Sequence, residues 1–174
     1  DFTRAPLAML AAAVVLFLFI IATLAPLVAP TNPFDPASLN LMNGFTPPMT
    51  PNMFTGQSFV MGTDDHGRDL LSAIIYGLRV SLFVGVMSVL LAMGIGVSLG
   101  LVAGYVGGWL DNLIMRIADI QLTFPSILIA MLIFGVLRGI IPPDLRDEMA
   151  IFVLIAAIGL SEWVPFARTV RATT

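Results

Sequence analysis

Thirty-one consecutive residues, Val80 to Leu110, carry no charge. Crossing a hydrocarbon core of about 30 Å takes roughly 20 apolar helical residues, so this run requires a membrane-spanning helix. Pro6 to Val28 is a second uncharged run long enough to span. It is too long for the apolar core of a signal peptide and has no clear small-residue cleavage site, so it reads as a retained helix. A third segment, about residues 111–137, contains Asp111, Arg116 and Asp119. A fourth, Met149 to Ser161, reaches spanning length only by passing Glu162. The composition agrees: 11% of residues are charged and 58% hydrophobic, against about 25% charged in a soluble domain. The fold class is therefore all-α, a polytopic bundle of transmembrane helices.

Composition also excludes several functions. All eight cationic residues are arginine and the formal net charge is -3, which leaves no basic face for a nucleic acid. The absence of cysteine removes disulfides, thiolate metal sites and cysteine nucleophiles. A single histidine cannot build a multi-histidine centre. No serine nucleophile elbow, HExxH or phosphate-cradling GxxxxGK[ST] occurs. The chain reads as no enzyme: if ATP drives any process here, another polypeptide hydrolyses it.

Residues 1–29 form the N-terminal transmembrane helix, and residues 30–77 a loop ending in a short interfacial helix. The loop holds six prolines between Pro30 and Met61, which no regular helix tolerates. Asp69 is placed to cap the free N–H groups of the turn that follows. Helices are then expected at about 80–106, 111–137 and 149–167. In the first of these, Ser81, Gly85, Ser88, Ala92, Gly96, Gly100 and Gly104 recur at helical spacing. The GxxxG pairs Gly96, Gly100 and Gly104 predict close helix packing, because small residues let backbones approach where no hydrophobic effect joins helices. "GGWLD", with Gly107, Gly108 and Asp111, reads as a turn opening the next helix. Pro125 should bend that helix. Trp163, Arg168 and Arg171 mark a membrane exit.

Two polar features require a reading. In "GTDDHGRD", Gly62 to Asp69, the side chains of Asp64, Asp65, His66 and Asp69 offer oxygen and nitrogen donors suited to a divalent metal. Gly62, Gly67 and the competing Arg68 favour turn and cap chemistry instead, with His66 incidental and no metal assigned. An intramembrane carboxylate is a functional candidate by default. For Asp119 the simpler reading is a local pair with Arg116, three residues earlier; the alternative is the wall of a transport path shared with Gln121 and Thr123. Phe124, Met131 and Phe134 read as packing.

Arginines tie at four on each side of an even-span topology: Arg4, Arg116, Arg168 and Arg171 against Arg68, Arg79, Arg138 and Arg146. Discounting Arg68 in its long loop leaves the termini cytoplasmic.

Taken together, "MGTDDHGRDLLSAIIYGLRVSLFVG" and "GIGVSLGLVAGYVGGWLDNLIMRIADIQLTFPSILIA" closely resemble the second permease subunit of the dipeptide, oligopeptide and nickel importers of the ABC class, over about residues 6 to 174. The motif positions carrying the resemblance are Gly62, Thr63, Asp64, Gly67, Arg68, Asp69, Gly107, Gly108, Asp111, Arg116 and Pro125. The resemblance implies a six-helix subunit of a bacterial inner membrane with cytoplasmic termini, of which residues 78–174 form the first part of the permease domain. It implies as partners a homologous permease subunit, two ATPase subunits holding ATP and Mg, a substrate-binding protein outside, and membrane lipid. It implies no cofactor on this chain. The ATPase-coupling helix is expected just after "WVPFARTVR", near Arg168 and Arg171, and is missing; four of six helices are present. The rival readings are a secondary transporter or channel, which would favour an inverted repeat not visible here, and a membrane scaffold.

Overall fold

The computed structural model describes residues 5–36, 40–52, 55–56 and 58–174; Arg4, counted in the orientation argument, lies outside them. The described chain divides into two compact units, residues 1–82 and 83–174.

The first unit opens with α1, Pro6–Thr23. Proline at the first helical position has a φ already suited to the helix and no N–H to leave unpaired. The run expected to continue to Val28 breaks at Leu24, and Ala25–Val28 forms a separate turn, α2. Pro26 explains the break, since its ring opposes the carbonyl four residues back. Most α1 side chains are exposed, as suits a helix surrounded by lipid, whereas Ala22 and Ala25 are buried. The proline-rich segment beyond contains a 3-10 turn at Leu41–Asn43 and a two-stranded antiparallel ribbon, β1 (Thr50–Pro51) with β2 (Ser58–Phe59), in the register Thr50 to Phe59.

A single helix, α3, runs from Leu70 to Val106. Its 37 residues make a rod of about 55 Å. The short interfacial helix expected before the span near residue 80 runs into that span without a break. Nothing between Leu70 and Val80 interrupts the hydrogen-bond ladder, so the polar entry and the apolar run form one rod.

In the second unit α3 is followed by α4 (Gly108–Leu122), α5 (Ser126–Ile140), a 3-10 turn at Pro143–Leu145, α6 (Arg146–Ser161) and α7 (Val164–Thr173). The helix expected over 111–137 with a bend at Pro125 is instead two helices meeting at 98°. Pro125 has no N–H for the Gln121 carbonyl and drives Phe124 out of helical geometry; the amide of Phe124 closes on that carbonyl instead, at 3.2 Å. The helix expected over 149–167 also differs: it starts at Arg146 and bends by 42° after Ser161, just ahead of Pro165. Among the described residues, α1 and α3 are each long and apolar enough to cross a membrane, and the two bent pairs pass that test only as pairs.

The core of this unit gathers Ala103, Ile114, Ala118, Trp163, Val164 and Ala167, flanked by Ile95, Leu99, Leu110 and Met115. Alanine and glycine at the contact points let main chains meet. A β-carbon on Gly96 would strike the Trp163 carbonyl oxygen, one on Gly100 would lie 2.6 Å from that of Ala167, and one on Gly104 would lie 2.8 Å from Thr174 Cβ. The other end of the small-residue stripe meets α6: Ser88 is buried and its hydroxyl lies 3.5 Å from the Ile155 carbonyl. Gly85 faces open space.

Candidate functional site

The most connected polar region of the second unit is the seam between α4 and α7. The chain enters α4 through Gly107 and Gly108, with φ of +64° and +60°, a conformation that a side chain disfavours. Asp111 then falls in the first turn, at the positive end of the helix. Its Oδ2 accepts from Arg171 Nη2 at 2.6 Å, while its Oδ1 is buried without a hydrogen-bond partner. About two turns on, Asp119 accepts from Arg168. The pairing order, Asp111 with Arg171 and Asp119 with Arg168, sets the two helices antiparallel.

Asp119 therefore does not make the expected local pair with Arg116. An arginine three residues before an aspartate opposes the helix dipole, whereas α7 brings a guanidinium directly across the seam. Arg168 and Arg171, expected only to lie near a coupling segment, are the α7 side of both ion pairs. Thr123 turns inward on its own helix end, donating to the Ile120 carbonyl at 2.6 Å. Asp119 and Thr123, the two candidate path residues, thus have separate partners.

From the sequence, Gln121 is expected only as part of the wall of a path. The structure places it at the hub of a network. Its Nε2 donates to the Ser161 carbonyl at 2.8 Å and approaches that of Leu160 at 3.4 Å, and its Oε1 accepts from Trp163 Nε1 at 2.9 Å. Trp163, read as a membrane-exit residue, is instead buried in the core. The signal for this network was present in Pro165, which implies an unpaired carbonyl at Ser161.

In the first unit, "GTDDHGRD" is a tightly bonded turn. Asp64 Oδ1 accepts from the amides of His66 and Arg68, both at 2.9 Å, and its Oδ2 from Arg68 Nε at 2.7 Å. Burial would raise the Asp64 pKa, but these hydrogen bonds and the Arg68 charge outweigh it and hold the carboxyl below its ordinary value. Gly67 (φ +74°) has no room for a β-carbon against the Asn40 carbonyl, and Gly62 (φ +81°) faces that of Thr46. Thr63 Oγ1 accepts from the Thr46 amide at 2.8 Å and donates to the Asn43 carbonyl. Asp69 Oδ2 caps α3 by accepting from the Ser72 amide at 2.9 Å and hydroxyl at 2.5 Å. Ser72 Oγ in turn accepts from the Thr31 amide at 3.1 Å. Asp64, Asp65 and His66 bring three donor atoms within 4.8 Å of one another. Both Asp64 oxygens are already committed to the turn, and His66 Nδ1 lies 2.7 Å from Asp65 Oδ1 with both side chains exposed.

Residues 96–174, which contain the glycine contacts and the α4–α7 seam, match the family described as the binding-protein-dependent transport system inner membrane component. Residues 1–48 match the N-terminal TM domain of oligopeptide transport permease C. The chain belongs to the binding-protein-dependent permease family. Its fold is that family's helical membrane fold. The chain is 38% identical over 156 residues to the dipeptide transport system permease protein of Haemophilus influenzae, covering 88% of this chain and 48% of that one. It is 33% identical over 165 residues to the oligopeptide transport system permease protein of Bacillus subtilis, covering 95% and 48%. With the glutathione transport system permease protein of Pectobacterium atrosepticum it shares 39% over 114 residues, 66% of this chain and 35% of that one. The chain spans about half the length of these permeases, or less.

Proposed function

We propose that this chain serves as a transmembrane permease subunit of an ATP-driven importer for peptides or related small solutes, forming half of the translocation pathway with a homologous subunit. The observation that carries the reading is the 38% identity to a dipeptide permease along 88% of the chain. ATP and Mg belong to two separate ATPase subunits, and a binding protein delivers substrate from outside. The N-terminus is cytoplasmic, in a bacterial inner membrane.

On this reading the chain supplies a rigid membrane framework. The glycine contacts of Gly96 and Gly100 and the paired charges of α4 and α7 make the end of α3, α4 and α7 respond as one block when partner subunits close. The test is reconstitution of the full-length protein with its ATPase pair. Hydrolysis should rise when loaded binding protein is added, and uptake should stop with ATPase-dead partners. Uptake that persists with dead ATPases identifies a secondary transporter instead, and absence of any uptake with a folded complex supports a scaffold.

A further inference from the structure

A proline inside a membrane helix leaves a carbonyl four residues back without its amide, and in hydrocarbon that carbonyl must find another donor. Pro165 does this to Ser161. The side-chain amide of Gln121, from α4, stands 2.8 Å from that carbonyl oxygen. Only one orientation of the Gln121 amide serves both neighbours, since Trp163 Nε1–H needs an acceptor and the Ser161 carbonyl needs a donor. Ser161 and Trp163 are both buried, at 6% and 7% exposure. Water is therefore a poor substitute for either bond.

We infer that Gln121 is a positioning residue that replaces the missing Pro165 amide and so latches the 42° bend between α6 and α7. Through this bond α4 sets the direction in which α7 leaves α6, and the ion pairs to Arg168 and Arg171 hold that direction along the seam.

The test is a double-mutant cycle in the full-length protein, purified in detergent and unfolded by denaturant titration. Gln121→Met keeps the side-chain length and removes both polar groups. Leaving a buried carbonyl unpaired should lower the folding constant roughly ten-fold or more. Pro165→Ala returns an amide to Ser161, so the same Gln121→Met change in that background should cost at least about three-fold less, what remains being the lost acceptor of Trp163 Nε1–H. Equal losses in both backgrounds overturn the latch, as does a double variant that fails to fold as completely as Gln121→Met alone.

Two readouts report the geometry directly. Trp109→Phe leaves Trp163 as the single tryptophan; Gln121→Met should then shift its emission and raise its quenching by acrylamide, and unchanged emission contradicts the bond. Spin labels at Phe152 and Ala172 should show a broader distance distribution in Gln121→Met, and a distribution as narrow as that of the unsubstituted chain argues against a latch.

Discussion

A β-carbon on Gly96 would collide with the main-chain carbonyl oxygen of Trp163, so at these two residues α3 and the start of α7 touch backbone to backbone. Gly94, two residues away on the same helix, has nothing within 4 Å of the equivalent position. Gly96→Val should therefore destabilise the protein by about 1–3 kcal/mol, the range for overpacking. Gly94→Val should stay within about 0.5 kcal/mol. Denaturant unfolding of the two variants side by side checks the difference, and equal effects would show that the stripe is not a packing surface.

The Asp119–Arg168 pair should behave as an interhelical contact. Asp119→Ala and Arg168→Ala each remove one partner, and the reversed pair, Asp119→Arg with Arg168→Asp, should recover most of the lost stability. A coupling free energy of about 1 kcal/mol or less is expected from a half-exposed pair. Arg116→Ala should show no coupling to Asp119. A measurable Arg116–Asp119 coupling would restore the local pair as the correct description.

Within "GTDDHGRD", positions divide by what surrounds them. His66→Ala should leave folding and uptake nearly intact, since its ring is exposed and pairs with its exposed neighbour Asp65. Gly67→Val forces a β-branched residue to φ +74° against the Asn40 carbonyl and should disrupt the loop. Asp69→Ala removes the helix cap and should lose about 0.5–2 kcal/mol. Yield and thermal stability of the three variants report this order. Loss of uptake in a fully assembled His66→Ala protein would instead mark a ligand site.

The Asp64 carboxyl titrates lower in the folded loop than in an unfolded chain. Its contribution is therefore fully present above the ordinary aspartate pKa of about 3.9 and is lost as pH falls through the lower folded value. Hydrogen exchange of the His66 and Arg68 amides should accelerate relative to the helices as the medium is acidified below about pH 4. Asp64→Asn should flatten this dependence, and an unchanged profile would assign the acid lability elsewhere.

Charge-free length made α1 and α3 legible in the sequence, and the glycine spacing made the α3 packing face legible, because both depend on local periodicity. The cap at Asp69 and the turn glycines Gly62 and Gly67 were readable for the same reason. Hidden from it were the events decided by distant partners. Whether Pro125 bends a helix or turns it through 98° depends on what covers the freed carbonyl, here the Phe124 amide. Which arginine meets Asp119 depends on where α7 lies, and no spacing between residues 119 and 168 encodes that. Gln121 looked like a wall residue because its partners, Ser161 and Trp163, lie on an element 40 residues away.

The unbroken course of α3 has a consequence for the loop that precedes it. From Leu70 to Arg79, its one charged residue, the helix rises about 15 Å, and Thr31 and Phe34 are fastened near its start through Ser72 and Tyr76. The folded turn from Gly62 to Asp69 is thus carried on a stiff pedestal. Anything that engages it does so at the far end of this rise, about 15 Å along α3 from Arg79.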